Sequence, residues 1–345
     1  IDPDVQVQFM ELENKGLINS VYEEEAAPTA LVPNVFYSRP INDKLTWGIG
    51  AYADFGLASD YSDEVNGTGQ LGLIAGDTAV SVININNSIA YEVTETLTLG
   101  ASASILMAHA EMNRYMVSTE TPAVHMKGDG MGFSYKLGAL YELNENHRFG
   151  IGYTAAVDVD LEGTFNGLDT IEDGGAVSNA DGALTLNLPS ITEISGYHQL
   201  TDVVAVHYSW VMIGWSAFQE IKGTSESCGT DGVCLLKEEE WKDSNRYSIG
   251  ATGQLSDEWT VRIGWAKDET PTDEHITASI PDSERIWMTG GVSYQMDSHV
   301  FDFGIAYIKG EDGEVITENS GISDQYFRTE KSTAMIYSVQ YAYNF

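Results

Sequence analysis

Apolar residues at every second position, sustained over runs too long for an ordinary globular sheet, constrain this chain more than any other feature. Ile83, Ile85, Ile89, Tyr91 and Val93 share one side of a run whose other side carries Asn84, Asn86, Ser88 and Glu92. A second run sets Ile151, Tyr153, Ala155, Val157, Val159 and Leu161 against Gly152, Thr154, Ala156, Asp158, Asp160 and Glu162. Side chains alternate faces along a strand, so each run has one apolar face and one polar or small face. Alternation alone fits a water-soluble sandwich with the apolar face inward, or a membrane barrel with that face turned to lipid. Length separates the two. Residues 203–220 and 150–165 exceed both the ~5–6 residues of a globular strand and the about 9–11 that cross a bilayer at a tilt.

Short polar turns recur at Asn42-Asp43, Thr94-Glu95, Asn144-Glu145-Asn146, Thr201-Asp202, Asp257-Glu258 and Asp297-Ser298, with first members 40 to 57 residues apart. Each interval holds two long runs, where a propeller blade would need four short ones. Between the turns lie longer polar, Gly-rich stretches at 10–29, 62–78, 117–130, 166–182, 222–240, 268–284 and 310–329. This alternation matches the short periplasmic turns and long extracellular loops of bacterial barrels. Six turns and seven loops predict an all-β, 14-stranded antiparallel transmembrane β-barrel in the outer membrane, with residues 1–9 as its first strand. Residues 1–345 are read as one barrel domain. No window approaches the ~18 consecutive apolar residues of a spanning helix. The formal charge of −35, from 17 basic against 52 acidic residues, excludes a nucleic-acid partner, which needs clustered Lys and Arg. A hydrophobic share of 43% argues against disorder despite that charge. The last strand carries Met335, Tyr337, Val339, Tyr341, Tyr343 and Phe345 at alternate positions. Tyr341, Tyr343 and the terminal Phe345 resemble the assembly signal of outer-membrane proteins, which predicts a barrel-assembly machinery as a partner and impaired insertion without Phe345.

Several short motifs carry a wider resemblance. Ala27-Pro28-Thr29-Ala30, Val32-Pro33-Asn34 and Pro40-Ile41-Asn42-Asp43 are followed by Phe55-Gly56-Leu57-Ala58, Leu186-Asn187-Leu188-Pro189, Ser195-Gly196-Tyr197 and Trp215-Ser216-Ala217-Phe218. Ile280-Pro281-Asp282 and Arg285-Ile286-Trp287 complete the order. Over nearly its whole length the sequence resembles the FadL family of outer-membrane long-chain fatty-acid transporters, which includes aromatic-hydrocarbon channels. The resemblance implies passive uptake of long-chain fatty acids or similar hydrophobic molecules, with lateral exit through a kinked third strand at Asp54, Phe55, Gly56 and Leu57. Asp268 matches a family acid near that opening, or is a solvated loop acid. Arg114 and Lys237 match basic positions that contact the bound carboxylate; the plainer reading makes them strand-end cations balancing Glu111 and Glu238. The family carries an N-terminal hatch inside the barrel, whereas this chain, opening Ile1-Asp2-Pro3-Asp4, reads as starting within strand one. The stretch 117–130 is shorter than the corresponding family loop.

The remaining chemistry-bearing residues point to no enzyme. The histidines (His109, His125, His147, His198, His207, His275 and His299) are scattered and join no Ser and Asp in a hydrolase motif. Cys228 and Cys234 bracket a Gly-rich loop segment; without a nearby His they favour a disulfide over a metal site. The runs Glu23-Glu24-Glu25 and Glu238-Glu239-Glu240 read as solvated faces, or as sites for cation bridging to lipopolysaccharide. No cofactor or metal is expected, and the expected surroundings are outer-membrane lipid and lipopolysaccharide. Two other readings stand beside fatty-acid uptake: an aromatic-hydrocarbon channel, which needs no headgroup cation, and a structural or adhesive barrel, which needs no apolar ligand.

Overall fold

The computed structural model describes residues 1–13, 16–116, 119, 122–168, 176–229, 231–272, 275–311 and 313–345. The described residues form twenty strands in one antiparallel sheet. The chain opens with β1 (Asp2–Glu13), β2 (Gly16–Glu23), β3 (Val35–Asn42) and β4 (Leu45–Asp60), followed by two single-turn helices, α1 (Asp63–Asn66) and α2 (Leu71–Ile74). Long strands follow: β5 (Asp77–Thr94), β6 (Leu97–Arg114) and β7 (Val124–Asn144). Shorter pieces come next: β8 (His147–Thr154), β9 (Val157–Leu168), β10 (Ala176–Leu188), β11 (Ile191–Gln199), β12 (Val204–Ile213), β13 (Glu220–Thr224), β14 (Val233–Glu238) and β15 (Ser244–Gln254). The chain ends with β16 (Trp259–Asp268), β17 (Arg285–Met296), β18 (His299–Gly310), β19 (Ile316–Asn319) and β20 (Asp324–Tyr343).

All six polar turns close hairpins at one end of the sheet, and their side chains show why. Asn42 Oδ1 accepts the backbone N–H groups of Lys44 and Leu45, both at 3.0 Å. Thr201 Oγ1 does the same for Val203 and Val204, and Ser256 Oγ for Glu258 and Trp259. Such short side chains satisfy turn backbone that no ladder reaches. The longer stretches carry more order than loops. Residues 10–29 continue β1 and hold β2, which pairs antiparallel with it; 62–78 hold α1 and α2, and 310–329 hold β19. Residues 222–240 hold the β13–β14 hairpin, across which Cys228 and Cys234 are joined by a disulfide with Cα atoms 5.2 Å apart. Part of 166–182 lies outside the described residues.

Twenty strands stand where fourteen runs were expected, because several runs bend and split. Breaks at 155–156, 189–190, 214–219 and 239–243 separate β8 from β9, β10 from β11, β12 from β13 and β14 from β15. Pro189 has no N–H to give a ladder. The split is collective. Toward the turns, β8, β11, β12 and β15 pair in that order; toward the loops, β9, β10, β13 and β14 form their own ladder. β7 spans both, pairing β8 below and the β9 segment above.

The facing of side chains inverts that of a water-soluble protein. On β5, Ile83, Ile89 and Tyr91 are 46%, 50% and 48% exposed, whereas Asn84 is fully buried and Asn86 nearly so. β7 and β20 present Met131, Phe133, Tyr135, Tyr337, Val339 and Tyr341 outward in the same way. An apolar exterior over a polar interior is the pattern of a sheet that faces lipid. The second alternating run behaves differently from its sequence reading. Ile151 and Tyr153 on β8 face outward, but Val159 and Leu161 on β9 are buried while Asp158, Asp160 and Glu162 are exposed. The break at Ala155-Ala156 thus exchanges the faces, as a one-residue slip must. β9 turns inward and packs Val159 and Leu161 against Val82, Leu106 and Ala108.

The sheet does not close. β1 pairs with β20 only from Met335 outward. Among the described residues, 336–343 of β20 pair with β18 alone, and β3 with β4 alone. At the loop end, Val7, Phe9, Tyr61, Val65, Ile74 and Phe327 form a buried apolar cap beneath α1 and α2.

Candidate functional site

β4 carries the feature that shapes the site. Its ladder with β5 is continuous to Asp60, but the register slips between Ala53 and Phe55, so Asp54 is the extra residue of a β-bulge. The bulge, one position from Phe55 and two before Gly56, turns the Asp54 carboxylate toward Asn84 Nδ2 and Lys136 Nζ, with the Lys136 ion pair at 3.4 Å. On its other edge β4 pairs with β3 only as far as Ala51. Beyond that point, among the described residues, one backbone bond from Asp60 N–H to Ala26 O joins the outer half of β4 to the strand-two side. The wall is therefore unpaired alongside Phe55, Gly56 and Leu57.

A cavity of about 470 Å³ lies behind this edge, and Asp54, Phe55, Gly56 and Leu57 line it. Its walls are mostly apolar. Trp215 and Trp241 meet edge to face with ring centroids 5.0 Å apart, Phe218 packs on Trp241 at 4.8 Å, and Phe55 on Trp215 at 6.0 Å. Such edge-on packing gives a rigid apolar lining. The inward turn of β9 and β10 contributes Leu161, Phe165, Leu184 and Leu186. A second cavity of about 660 Å³ is lined by apolar side chains together with Arg148, Glu193, His207 and Arg262. Arg246 and Trp287 mark its approach to the first, with the guanidinium 5.3 Å from the ring centroid.

Polar groups at the apolar cavity come in pairs. Asp268, almost fully buried, accepts a hydrogen bond from Arg246 Nη2 at 2.8 Å and lies 3.9 Å from Arg285 Nε. Arg285 is in turn 3.1 Å from Asp282. Asp268 is thus a buried partner of two arginines at the cavity wall, not a solvated loop acid. In the sequence Arg285 and Asp282 stand out only as motif residues, and Arg246 carries no motif at all. The signal available for Arg246 was its place among the inward-facing positions of β15.

Arg114 and Lys237 come close to the cavity without lining it. Arg114, at the end of β6, is 6% exposed. Its donors go to the carbonyls of Asp77 and Asn113 and to Thr78 Oγ1, at 3.1, 2.7 and 3.1 Å; Thr78 is itself a wall residue. Lys237 Nζ is 2.9 Å from Glu318, 3.0 Å from Ser279 Oγ and 4.0 Å from Glu239. Glu111 faces Lys127 at 3.9 Å rather than Arg114. The acidic run at Glu238-Glu239-Glu240 is not a uniform solvated face, because Glu239 is fully buried. Glu23 is buried too, its carboxylate accepting the backbone N–H of Ser62 at 2.7 Å. At the opposite end, Tyr341, Tyr343 and Phe345 are exposed on the outer face.

The model of the family described as outer membrane protein transport protein (OMPP1/FadL/TodX) matches residues 1–345. The chain belongs to this family. As a FadL-type protein it is similar to the long-chain fatty acid transport protein of Salmonella typhi, 33% identical over 90% of this chain and 76% of that protein. It is also similar to the 47 kDa outer membrane protein of Pasteurella multocida, 35% identical over 92% of this chain and 78% of the relative. Among solved structures, a Pseudomonas aeruginosa FadL homologue superposes with a TM-score of 0.80 at 17% identity, covering 99% of this chain and 88% of the other. The Pseudomonas putida toluene transporter TodX does so at 0.70 and 16%, covering 100% and 90%. The fold is that of these barrels, and the protein is an outer-membrane protein.

Proposed function

We propose that this chain forms a 14-stranded outer-membrane channel for passive uptake of hydrophobic molecules, long-chain fatty acids or compounds of similar character. In this reading the bent pieces count as single crossings, and substrate leaves the lumen sideways past the unpaired edge of β4 into the membrane. The observation that carries it is the meeting of an apolar cavity with that edge at Phe55, Gly56 and Leu57. An apolar solute in the cavity gains its transfer free energy, about 25 cal/mol per Å² of buried surface, and leaving into lipid avoids returning that surface to water. The names of the relatives, a fatty-acid transporter and a toluene transporter, support a hydrophobic ligand and a non-enzymatic role. Lipid and lipopolysaccharide around the barrel, and a barrel-assembly machinery acting on Tyr341, Tyr343 and Phe345, belong to the same proposal. Trp215 and Trp241 give a direct test, since both line the cavity. A long-chain alcohol carrying a quencher is expected to quench their fluorescence saturably, and less so after Ala110→Trp fills the cavity from its β6 wall. Quenching that rises linearly with concentration, or is unchanged by the filling, would leave the cavity without a ligand and favour a structural barrel.

A further inference from the structure

We propose that the channel selects uncharged hydrophobic molecules over carboxylates, and that Glu318 is the specificity-determining residue because it already occupies Lys237. The proposal rests on the channel reading above and names the substrate class of that cavity.

Glu318 sits on β19, about eighty residues beyond Lys237 in sequence, yet its Oε1 is 2.9 Å from Lys237 Nζ. Its other oxygen accepts the backbone N–H of Ala278 at 2.8 Å, which fixes the carboxylate in place. The Lys237 ammonium has three donors. Glu318 and Ser279 Oγ are within hydrogen-bond distance, and Glu239 adds a second carboxylate at 4.0 Å. One ammonium thus faces two carboxylates. Arg114, the other basic position near this end, spends its donors on two backbone carbonyls and Thr78.

The cavity repeats the pattern. Its lining holds Lys127, Arg246 and Arg285 against Asp54, Glu111, Asp268, Glu269 and Asp282, three basic residues to five acidic. Arg246 is held by Asp268, Arg285 by Asp282, and Lys127 faces Glu111. A fatty-acid carboxylate brought here adds charge to a lining already short of cations, and an unpaired charge taken from water is strongly disfavoured. To reach Lys237 it must displace a carboxylate of the chain itself. That tethered group competes at an effective concentration, on the order of millimolar or above, that a sparingly soluble lipid does not approach. A neutral chain of the same length meets no such competitor.

The test compares a long-chain fatty acid with the alcohol of equal chain length, both titrated into the detergent-purified protein at neutral pH by displacement of a neutral fluorescent probe. The wild type is expected to bind the alcohol roughly tenfold more tightly than the acid. Glu318→Gln should raise affinity for the acid about tenfold, the factor of one charge-assisted contact, and leave the alcohol within about twofold. Adding Lys237→Gln to Glu318→Gln should return the ratio to that of the wild type, as a double-mutant cycle requires if the two residues act as a pair. Equal binding of acid and alcohol by the wild type, or a ratio unmoved by Glu318→Gln, overturns the proposal. Should Glu318→Gln not fold, the double variant decides alone: a selective loss of acid binding would mean that Lys237 serves the ligand in the wild type. Binding of neither ligand by the wild type would instead sink the channel reading on which this one rests.

Discussion

At the scale of single residues, the outer end of the molecule is a set of buried charges that hold each other. Glu239 is the most exacting case. It is fully buried; Oε2 accepts the Trp241 indole N–H at 3.2 Å, while Oε1 has no hydrogen bond. Burial raises its pKa above the ordinary value of 4.5, with Lys237 opposing. A carboxyl whose folded pKa is raised contributes stability below its unfolded value, and that contribution is lost as pH rises through the folded pKa. Ionising Glu239 therefore costs the fold stability as pH rises above 4.5. Glu239→Gln is expected to stabilise the protein by about 1 kcal/mol at neutral pH and to flatten the stability profile between mildly acidic and neutral pH. Thermal unfolding followed by Trp241 fluorescence across a pH series measures both, and an unchanged profile would count against this assignment. The sequence could place Arg114 and Lys237 near the outer end because each strand has two faces and a known direction. It could not pair Lys237 with Glu318, since nothing local links residues about eighty positions apart. The surroundings of Asp268 are out of reach of the sequence for the same reason: its partners Arg246 and Arg285 lie on the two neighbouring strands.

At the scale of elements, hairpins and alternation were legible and bends were not. Turn residues such as Asn42, Thr201 and Ser256 bond their own backbone, so the signal and its cause sit in the same few residues. The inward turn of β9 depends on distant chemistry. Gly130 and Gly163 allow it: a Cβ at Gly130 would lie 2.2 Å from Asp160 O, and one at Gly163 1.8 Å from Lys127 O. Only glycine permits backbones that close. Gly130→Val should therefore displace β9 and remove the Leu161 wall, with loss of probe binding but retention of barrel assembly. Gly152→Ala, with no atom within 4 Å of the added Cβ, serves as the control and should bind normally. Normal binding by Gly130→Val would show that the cavity does not need the inward strand. Within the stretch 54–57 the extra residue is Asp54, because the register slips there, whereas Gly56 continues the β5 ladder.

At the scale of the whole molecule, two asymmetries make the channel account. The outer surface is apolar where strands alternate, and the wall is unpaired beside the one stretch where the apolar cavity reaches β4. Membrane residence follows from the first; the proposed route between lumen and lipid rests on the second. The most direct measurement is uptake of a labelled long-chain alcohol by Gram-negative cells lacking their own hydrophobe transporters, with and without this protein in the outer membrane. Gly56→Trp is the informative variant. Gly56 lines the cavity at the unpaired edge, and a Cβ there meets nothing closer than Val80 O at 3.8 Å, so a side chain can start from this position without a backbone clash, and an indole is expected to stand in the mouth. The account predicts faster uptake with the wild-type protein and most of that gain lost with Gly56→Trp, at equal protein levels. Uptake no faster than in cells without the protein, or equal uptake through Gly56→Trp, would contradict it.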